Sequence, residues 1–130
     1  MTENLRGLRV LVVDDERLIR WSIAETLSHA GHRVIEAADG ATAILALKNN
    51  ADVLDAIVLD YRLPDSNDLT LLTTIRRLSP ESAVVLMTAF GTPEIAQVAL
   101  DLGVSHVLHK PFEMPDLEPL LQEACSARRH

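Results

Sequence analysis

Four short runs along the chain are mostly aliphatic and rich in β-branched residues: positions 10–13, 34–37, 56–59 and 83–87. A fifth, 105–109, is less apolar. Each has the length of a strand. The central runs do not alternate with polar residues, which is the pattern of strands buried on both faces of a parallel sheet. Between them lie segments with helical spacing. Segment 16–30 carries Ile19, Ile23, Leu27 and Ala30 on one face, and Gly31 stops it. Segment 39–49 carries Ile44, Leu45 and Leu47 and ends in Asn49-Asn50. Asn67 or Asp68 can cap a helix over 69–78, which Ser79-Pro80 closes. Thr92 can cap a helix over 93–102, with Pro93 at its first position and Gly103 just past its end. Segment 114–128 is helical in pattern but holds Pro115 and Pro119. With Pro115 at the first position, Pro119 lacks the N–H that should reach back to residue 115. Either this helix starts late, near Glu118, or its first turn is distorted.

Strand and helix thus alternate five times. This rhythm predicts an α/β fold, an open doubly wound five-stranded parallel sheet with right-handed crossovers and helices on both faces. At 130 residues the chain is one ordinary domain, too short for a barrel of ~250 residues. Aromatic residues are 3%, so the core must be built from Leu, Val, Ile and Ala. The net charge of −7 argues against a bare phosphate backbone as a direct partner. The single cysteine, Cys125, excludes an internal disulfide and a cysteine-based zinc site and reads as a bystander. Nothing at the N-terminus reads as a signal peptide, and no run approaches the ~18 apolar residues of a membrane span. The expectation is a cytoplasmic domain with no membrane contact. Residues 126–130 look like a frayed or cut end.

In open α/β sheets ligands bind beyond the carboxyl ends of the strands. Asp14 and Asp15 follow the first strand, Asp60 the third, Thr88 the fourth and Lys110 the fifth. A lone aspartate there is more often a turn former, and Asp15 could serve only as a cap for the helix near Glu16. The joint pattern says more. Three carboxylates gathered at one sheet edge repel each other, and Lys110 can neutralise only one. The remainder calls for a hard cation with oxygen ligands, for which Mg2+ is the natural choice. Such a site, with a free carboxylate, a lysine and a hydroxyl, can receive a phosphoryl group.

The pieces LVVDDERLIRWS, AIVLDYRLPD, VVLMTAFGTPE and HVLHKPFE resemble the receiver domain of two-component response regulators. The match runs from about Arg9 to Arg128. DDERLIRWS and MTAFG are similar to receivers of sigma-54-dependent transcription activators, a weaker signal. The resemblance implies a flavodoxin-like strand order 2-1-3-4-5 and a single receiver over 1–130, its core at about 8–126, with any output domain beyond residue 130. It implies Asp60 as phospho-acceptor, and Asp14, Asp15, Asp60 and the backbone carbonyl of Arg62 as the Mg2+ site. Thr88 and Lys110 then bind the phosphoryl group, and the Lys110-Pro111 peptide is cis. The implied partners are a sensor histidine kinase and, after phosphorylation, a second copy of the receiver. The domain would catalyse its own phosphorylation and dephosphorylation without being a conventional enzyme. Phosphorylation would draw Thr88 and the loop 89–91 inward and alter the surface of the fourth helix, fifth strand and fifth helix, most naturally to control transcription.

Three positions depart from the family pattern. Val107 stands where many receivers carry Tyr or Phe, so the aromatic half of the switch is missing; Phe90, His106 or His109 could substitute for it. Asn67-Asp68 replaces the usual glycine before Leu69. Pro119 is unusual in the last helix and bears on the dimer surface. His29 and His32 flank a turn and read as solvated, and Arg20 and Trp21 need no role beyond the first helix. Three rival readings are weaker. A haloacid-dehalogenase-type phosphatase needs a second aspartate where Arg62 stands. A flavodoxin-like flavin binder needs a phosphate loop where Asp14-Asp15-Glu16 would repel phosphate. A pseudo-receiver, a binding module independent of phosphorylation, is opposed by the complete set of five site residues.

Overall fold

The computed structural model describes residues 7–49, 53–65, 69–89 and 91–128. The expected caps Asn67 and Asp68, together with Asn50, Phe90 and the end at 129–130, lie outside the described residues. The elements alternate as expected: β1 Arg9–Val13, α1 Arg17–His29, β2 Arg33–Ala37, α2 Gly40–Asn49, β3 Ala56–Asp60, α3 Thr70–Leu78, β4 Ala83–Thr88, α4 Pro93–Asp101, β5 His106–His109 and α5 Met114–Arg128. All strand pairs are parallel, in the order β2-β1-β3-β4-β5. The doubly wound 2-1-3-4-5 sheet is therefore the fold of this chain.

The period-two geometry of the strands sorts the core into two layers. Leu11, Val13, Ile57, Leu59, Val84 and Leu86 face one way and pack with Ala43 of α2, Leu72 and Ile75 of α3 and Ala99 of α4. Val10, Val12, Val58, Val85 and Met87 face the other way and pack with Ile23 and Leu27 of α1 and Leu117 and Leu121 of α5. Strands β3 and β4 are buried along their whole length, which explains their uninterrupted apolar runs. The edge strand β2 is mostly exposed. Its Arg33 and Glu36 put charge on an edge that would otherwise invite pairing.

Local signals placed both ends of α4 and the end of α1, whereas α1 and α3 start at Glu16 and Leu69 without a side-chain cap bond. Thr92 Oγ1 accepts the Ile95 N–H at 3.2 Å, with Pro93 opening α4. Gly31 and Gly103 end α1 and α4 at φ +96° and +103°, a region that disfavours side chains. Helix α5 settles the open question of its start: it begins at Met114 and runs through Pro119. Leu117, Leu121 and Ala124 are fully buried against the sheet, whereas Pro115 and Pro119 are exposed. Burial of that apolar face holds the first turn, and the Pro115 carbonyl that loses its N–H partner lies on the wet side.

His32 overturns its reading as solvated. It is buried, its Nδ1 accepts the Leu8 N–H at 2.9 Å, and its Nε2 lies 3.0 Å from Glu118 Oε2 on α5. Because Nδ1 accepts, Nε2 carries the hydrogen and donates to Glu118. The Gln122 amide, and after it His32, hold the Glu118 carboxyl below the usual range against its partial burial. The ring thus ties the approach to β1 to the last helix. Cys125 is buried, with Sγ 3.4 Å from the Asp55 carbonyl. His29 is solvated as expected, its side chain 81% exposed.

These two histidines make opposite predictions. His32→Ala leaves the buried Leu8 N–H unpaired and lowers the unfolding free energy by about 1–3 kcal/mol. His29→Ala changes it by less than about 0.5 kcal/mol. Urea denaturation of both variants checks this, and equal effects would remove the structural role assigned to His32.

Candidate phosphoryl-acceptor site

The topology brings the expected residues to one edge of the sheet. The chain leaves β1 in one direction to reach β2 and in the other to reach β3, so the β1/β3 boundary is the switch point where a crevice opens. Register does the rest. Val13 pairs with Leu59, Asp60 with Met87, and Thr88 with His109. Asp14, Asp60, Thr88 and Lys110 therefore emerge together at the carboxyl ends of four adjacent strands. The Lys110 N–H donates to the Thr88 carbonyl at 2.8 Å, and the Tyr61 N–H to the Met87 carbonyl at 2.8 Å, which carries the order of the sheet into the loops. The Lys110-Pro111 peptide is cis.

Asp14, Asp15 and Asp60 each offer a carboxylate oxygen, and these oxygens lie within 4.8 Å of one another. Asp14 is fully buried and Asp60 nearly so, while Asp15 is exposed. Lys110 Nζ lies 2.9 Å from Asp14 Oδ2, 3.3 Å from Asp60 Oδ2 and 3.7 Å from Glu16 Oε1. Asp60 Oδ1 accepts the Arg62 N–H at 3.3 Å. Glu16, not Asp15, holds the N-cap position of α1, and it does so without a side-chain cap bond. The capping explanation for Asp15 therefore fails. A cavity of about 250 Å³ opens beside the cluster, and Asp15, Asp60, Arg62, Thr88 and Lys110 all line it.

The electrostatics follow from burial and crowding. Burial, and then the charge of Asp14, push the Asp60 carboxyl up to about 6, against the pull of Lys110 and the Arg62 N–H. Burial alone would lower Lys110, but its hydrogen bond to Asp14 and the charges of Asp60 and Asp14 outweigh that and raise it. Lys110 is thus a fixed cation among the site's carboxylates. One ammonium against three carboxylates and Glu16 leaves the site strongly negative, with hard oxygen donors directed at a small volume.

Two supports, at Arg20 and Asp65, were not legible in the sequence, and a third, at Gly91, adds to them. Arg20 donates from Nη1 to the Asp14 carbonyl at 2.8 Å and from Nε to Glu36 at 3.1 Å, so α1 and β2 together brace the acidic loop. Arg20 thus does more than belong to the first helix. Asp65 accepts the N–H groups of Gly40 and Ala41. Gly91 leaves room for Thr88, because a Cβ there would stand 2.6 Å from Thr88 Cγ2. Only chain positions 24 or more apart would have revealed Asp65, and no local spacing encodes that contact.

With this geometry in hand, the comparisons with known proteins are unambiguous. The response regulator receiver domain model matches residues 10–122, and the chain belongs to that family. It is 34% identical over 125 residues to the transcriptional regulatory protein PdtaR of Mycobacterium tuberculosis, covering 93% of this chain and 58% of that protein. The structure of NtrX from Brucella abortus superposes with a TM-score of 0.85 at 32% identity, over 95% of this chain and 28% of that one. A CheY-like receiver domain protein from Methanospirillum hungatei superposes with a TM-score of 0.88 over 95% of this chain and 98% of that one. At 24% identity the last likeness shows the fold alone. The chain spans little more than half the length of PdtaR and about a quarter of NtrX.

The raised Asp60 predicts a pH dependence. Between its ordinary 3.8 and about 6 the folded chain holds this proton and the unfolded chain does not. The contribution of Asp60 to stability therefore falls as pH rises through that window and stays unfavourable above it. Asp60→Asn removes the effect and stabilises the metal-free chain at neutral pH by ~1–3 kcal/mol. Thermal melts of both proteins in chelator, from about pH 4 to 7, check it; a variant no more stable at neutral pH would show that Asp60 carries no such stress.

Proposed function

We propose that this chain is a phosphorylation-activated switch that accepts a phosphoryl group on Asp60 from a phosphohistidine of a sensor kinase. The observation that carries this reading is the single cluster of Asp14, Asp15, Asp60 and Lys110, with Thr88 on the wall of the same cavity. The donor set fits Mg2+: the oxygens are hard, carry excess negative charge, and leave one side open to water and phosphate. Asp14, Asp15, Asp60 and the Arg62 carbonyl would hold the ion. When bound, it supplies positive charge to the oxygens of the transferring phosphoryl group.

The residues of the chain do the rest. With its value near 6, Asp60 is largely ionised at neutral pH and is available as a nucleophile. One of its oxygens attacks phosphorus, the P–N bond to the donor imidazole breaks, and the imidazole leaves with that electron pair. Lys110 already spans Asp14 and Asp60, so it can shift its hydrogen bond to a phosphoryl oxygen without leaving the cluster. The Thr88 hydroxyl hydrogen-bonds the acquired dianionic group, which draws its loop toward Asp60. Water attacking phosphorus later breaks the P–O bond to Asp60, releasing inorganic phosphate and regenerating the carboxylate. The two states differ in packing, and phosphate shifts the population between them.

The response passes from Thr88 to α4, β5 and α5. Val107 is half-buried, pairs in register with Leu86 and packs on the α4 side of the core. With no aromatic ring at that position, coupling rests on Thr88 and the backbone of its loop. Exposed Val98 and Leu100 on α4 supply apolar surface for a phosphorylation-linked dimer or an output domain. Likeness to a transcriptional regulatory protein longer than this chain supports a transcriptional output and a cytoplasmic setting. Among the described residues no helix is long and apolar enough to cross a membrane. A phosphatase reading lacks its second acid, since Arg62 stands two residues after Asp60.

Incubation with acetyl phosphate and Mg2+, followed by intact mass measurement, should add one phosphoryl group; Asp60→Asn and omission of Mg2+ should each abolish it. No increment in the unaltered chain would instead support a pseudo-receiver. Gly91→Ala tests the switch. The collision with Thr88 Cγ2 must displace the threonine or its loop, so the Thr88 and Ala89 amide resonances should move in the unphosphorylated chain. Unmoved resonances would show that the loop has room to spare.

A further inference from the structure

We propose that Asp65 is a positioning residue of the acidic site: by binding the first turn of α2, its carboxylate holds the loop 61–65 so that Arg62 keeps its backbone aligned with Asp60 and with a cation bound there. The proposal rests on the metal-dependent reading above. Asp65 Oδ1 accepts the Gly40 N–H at 2.8 Å and Oδ2 accepts the Ala41 N–H at 3.0 Å. Helix α2 already has a cap of its own, because Asp39 Oδ1 takes the Thr42 N–H at 2.7 Å. Asp39 satisfies only one of the N–H groups left free at this helix start, so Asp65 completes the capping of α2 and in doing so ties the loop to it.

Several contacts hold that loop: Asp60 ends β3, the Tyr61 N–H donates to the Met87 carbonyl, Leu63 is buried in the core beside α2 and α3, and Asp65 is bound to α2. Arg62 lies between Tyr61 and Leu63, with its N–H on Asp60 Oδ1. Freeing Asp65 removes the tie between this loop and α2, and the loop gains conformations that misplace the Arg62 carbonyl. The pairing also suits the charge of the site. The positive end of the α2 dipole balances a fourth carboxylate only five residues after Asp60, so Asp65 adds little to the repulsion there. Gly40 makes the contact feasible, since a Cβ at that position would stand 3.2 Å from both Asp65 Oδ1 and Leu71 Cδ2.

The test is an Mg2+ titration of the full chain, read from the Asp15 and Arg62 amide resonances, with melting temperatures measured alongside. Asp65→Ala should weaken Mg2+ binding roughly ten-fold. Asp65→Asn, which retains one carbonyl acceptor, should fall between it and the unaltered chain. Asp39→Ala removes a cap from the same helix without touching the loop; it should lower the melting temperature yet leave Mg2+ affinity unchanged. If Asp65→Ala fails to fold, Asp65→Asn carries the test. Unaltered affinity in the Asp65 variants, or an equal loss in Asp39→Ala, overturns the positioning role. No Mg2+ response in the unaltered chain overturns the metal-site reading itself, and the proposal with it.

Discussion

One ammonium holds together carboxylates that would otherwise drive each other apart. Lys110 lies within 3.3 Å of both Asp14 and Asp60, and all three groups are largely removed from water. Coulomb repulsion between buried like charges is far stronger than in bulk solvent, so the site without this cation would not keep its shape. Burial and Asp14 still push Asp60 up, which shows that Lys110 compensates the repulsion only in part. The residual negative charge is what makes the site receptive to a divalent cation. In the proposed reaction the same lysine would face two competing anions, the carboxylates and an arriving phosphoryl group. Exchange between them is the simplest electrostatic basis for a switch.

The sheet exists to impose that crowding. Strands β1, β3 and β4 are buried on both faces, and their two apolar layers hold α1 and α5 on one side and α2, α3 and α4 on the other. Packing on this scale offsets the repulsion concentrated at one end. Parallel registry, with the chain reversing direction between β1 and β3, sends every strand's carboxyl end to the same edge. Burial and reactivity are thus linked, because a looser sheet would let the carboxylates separate and their chemistry relax toward that of ordinary aspartates.

Around this frame, contacts between distant parts of the chain steady the loops. Arg20 braces the Asp14 carbonyl from α1, Asp65 joins the loop after β3 to α2, and His32 joins the approach to β1 to Glu118 on α5. Each spends a polar or charged group on a backbone N–H or carbonyl, the class of bond whose loss leaves a buried group unsatisfied. The loop after β4 is treated differently. Gly91 packs so close to Thr88 there that a Cβ would stand 2.6 Å from Thr88 Cγ2.

The sequence by itself determined the α/β alternation, both core layers and the membership of the acidic cluster. Uninterrupted apolar runs can be satisfied only by strands buried on two faces, and the residue after each such strand has one place to go. Helix signals that act within a turn, such as Thr92 with Pro93 and the glycines at 31 and 103, were legible for the same local reason. The tertiary structure decided the rest. His32 looks like a solvated turn residue until α5 closes over it and supplies Glu118 from 86 positions away. Pro119 argues for a late helix start until burial of Leu117 and Leu121 outweighs one lost hydrogen bond. Arg20 and Asp65 carry no local mark of their partners, because a hydrogen bond between remote segments depends on how the layers dock. Periodicity and spacing record what neighbours along the chain do to each other; docking is an outcome of the whole packed core.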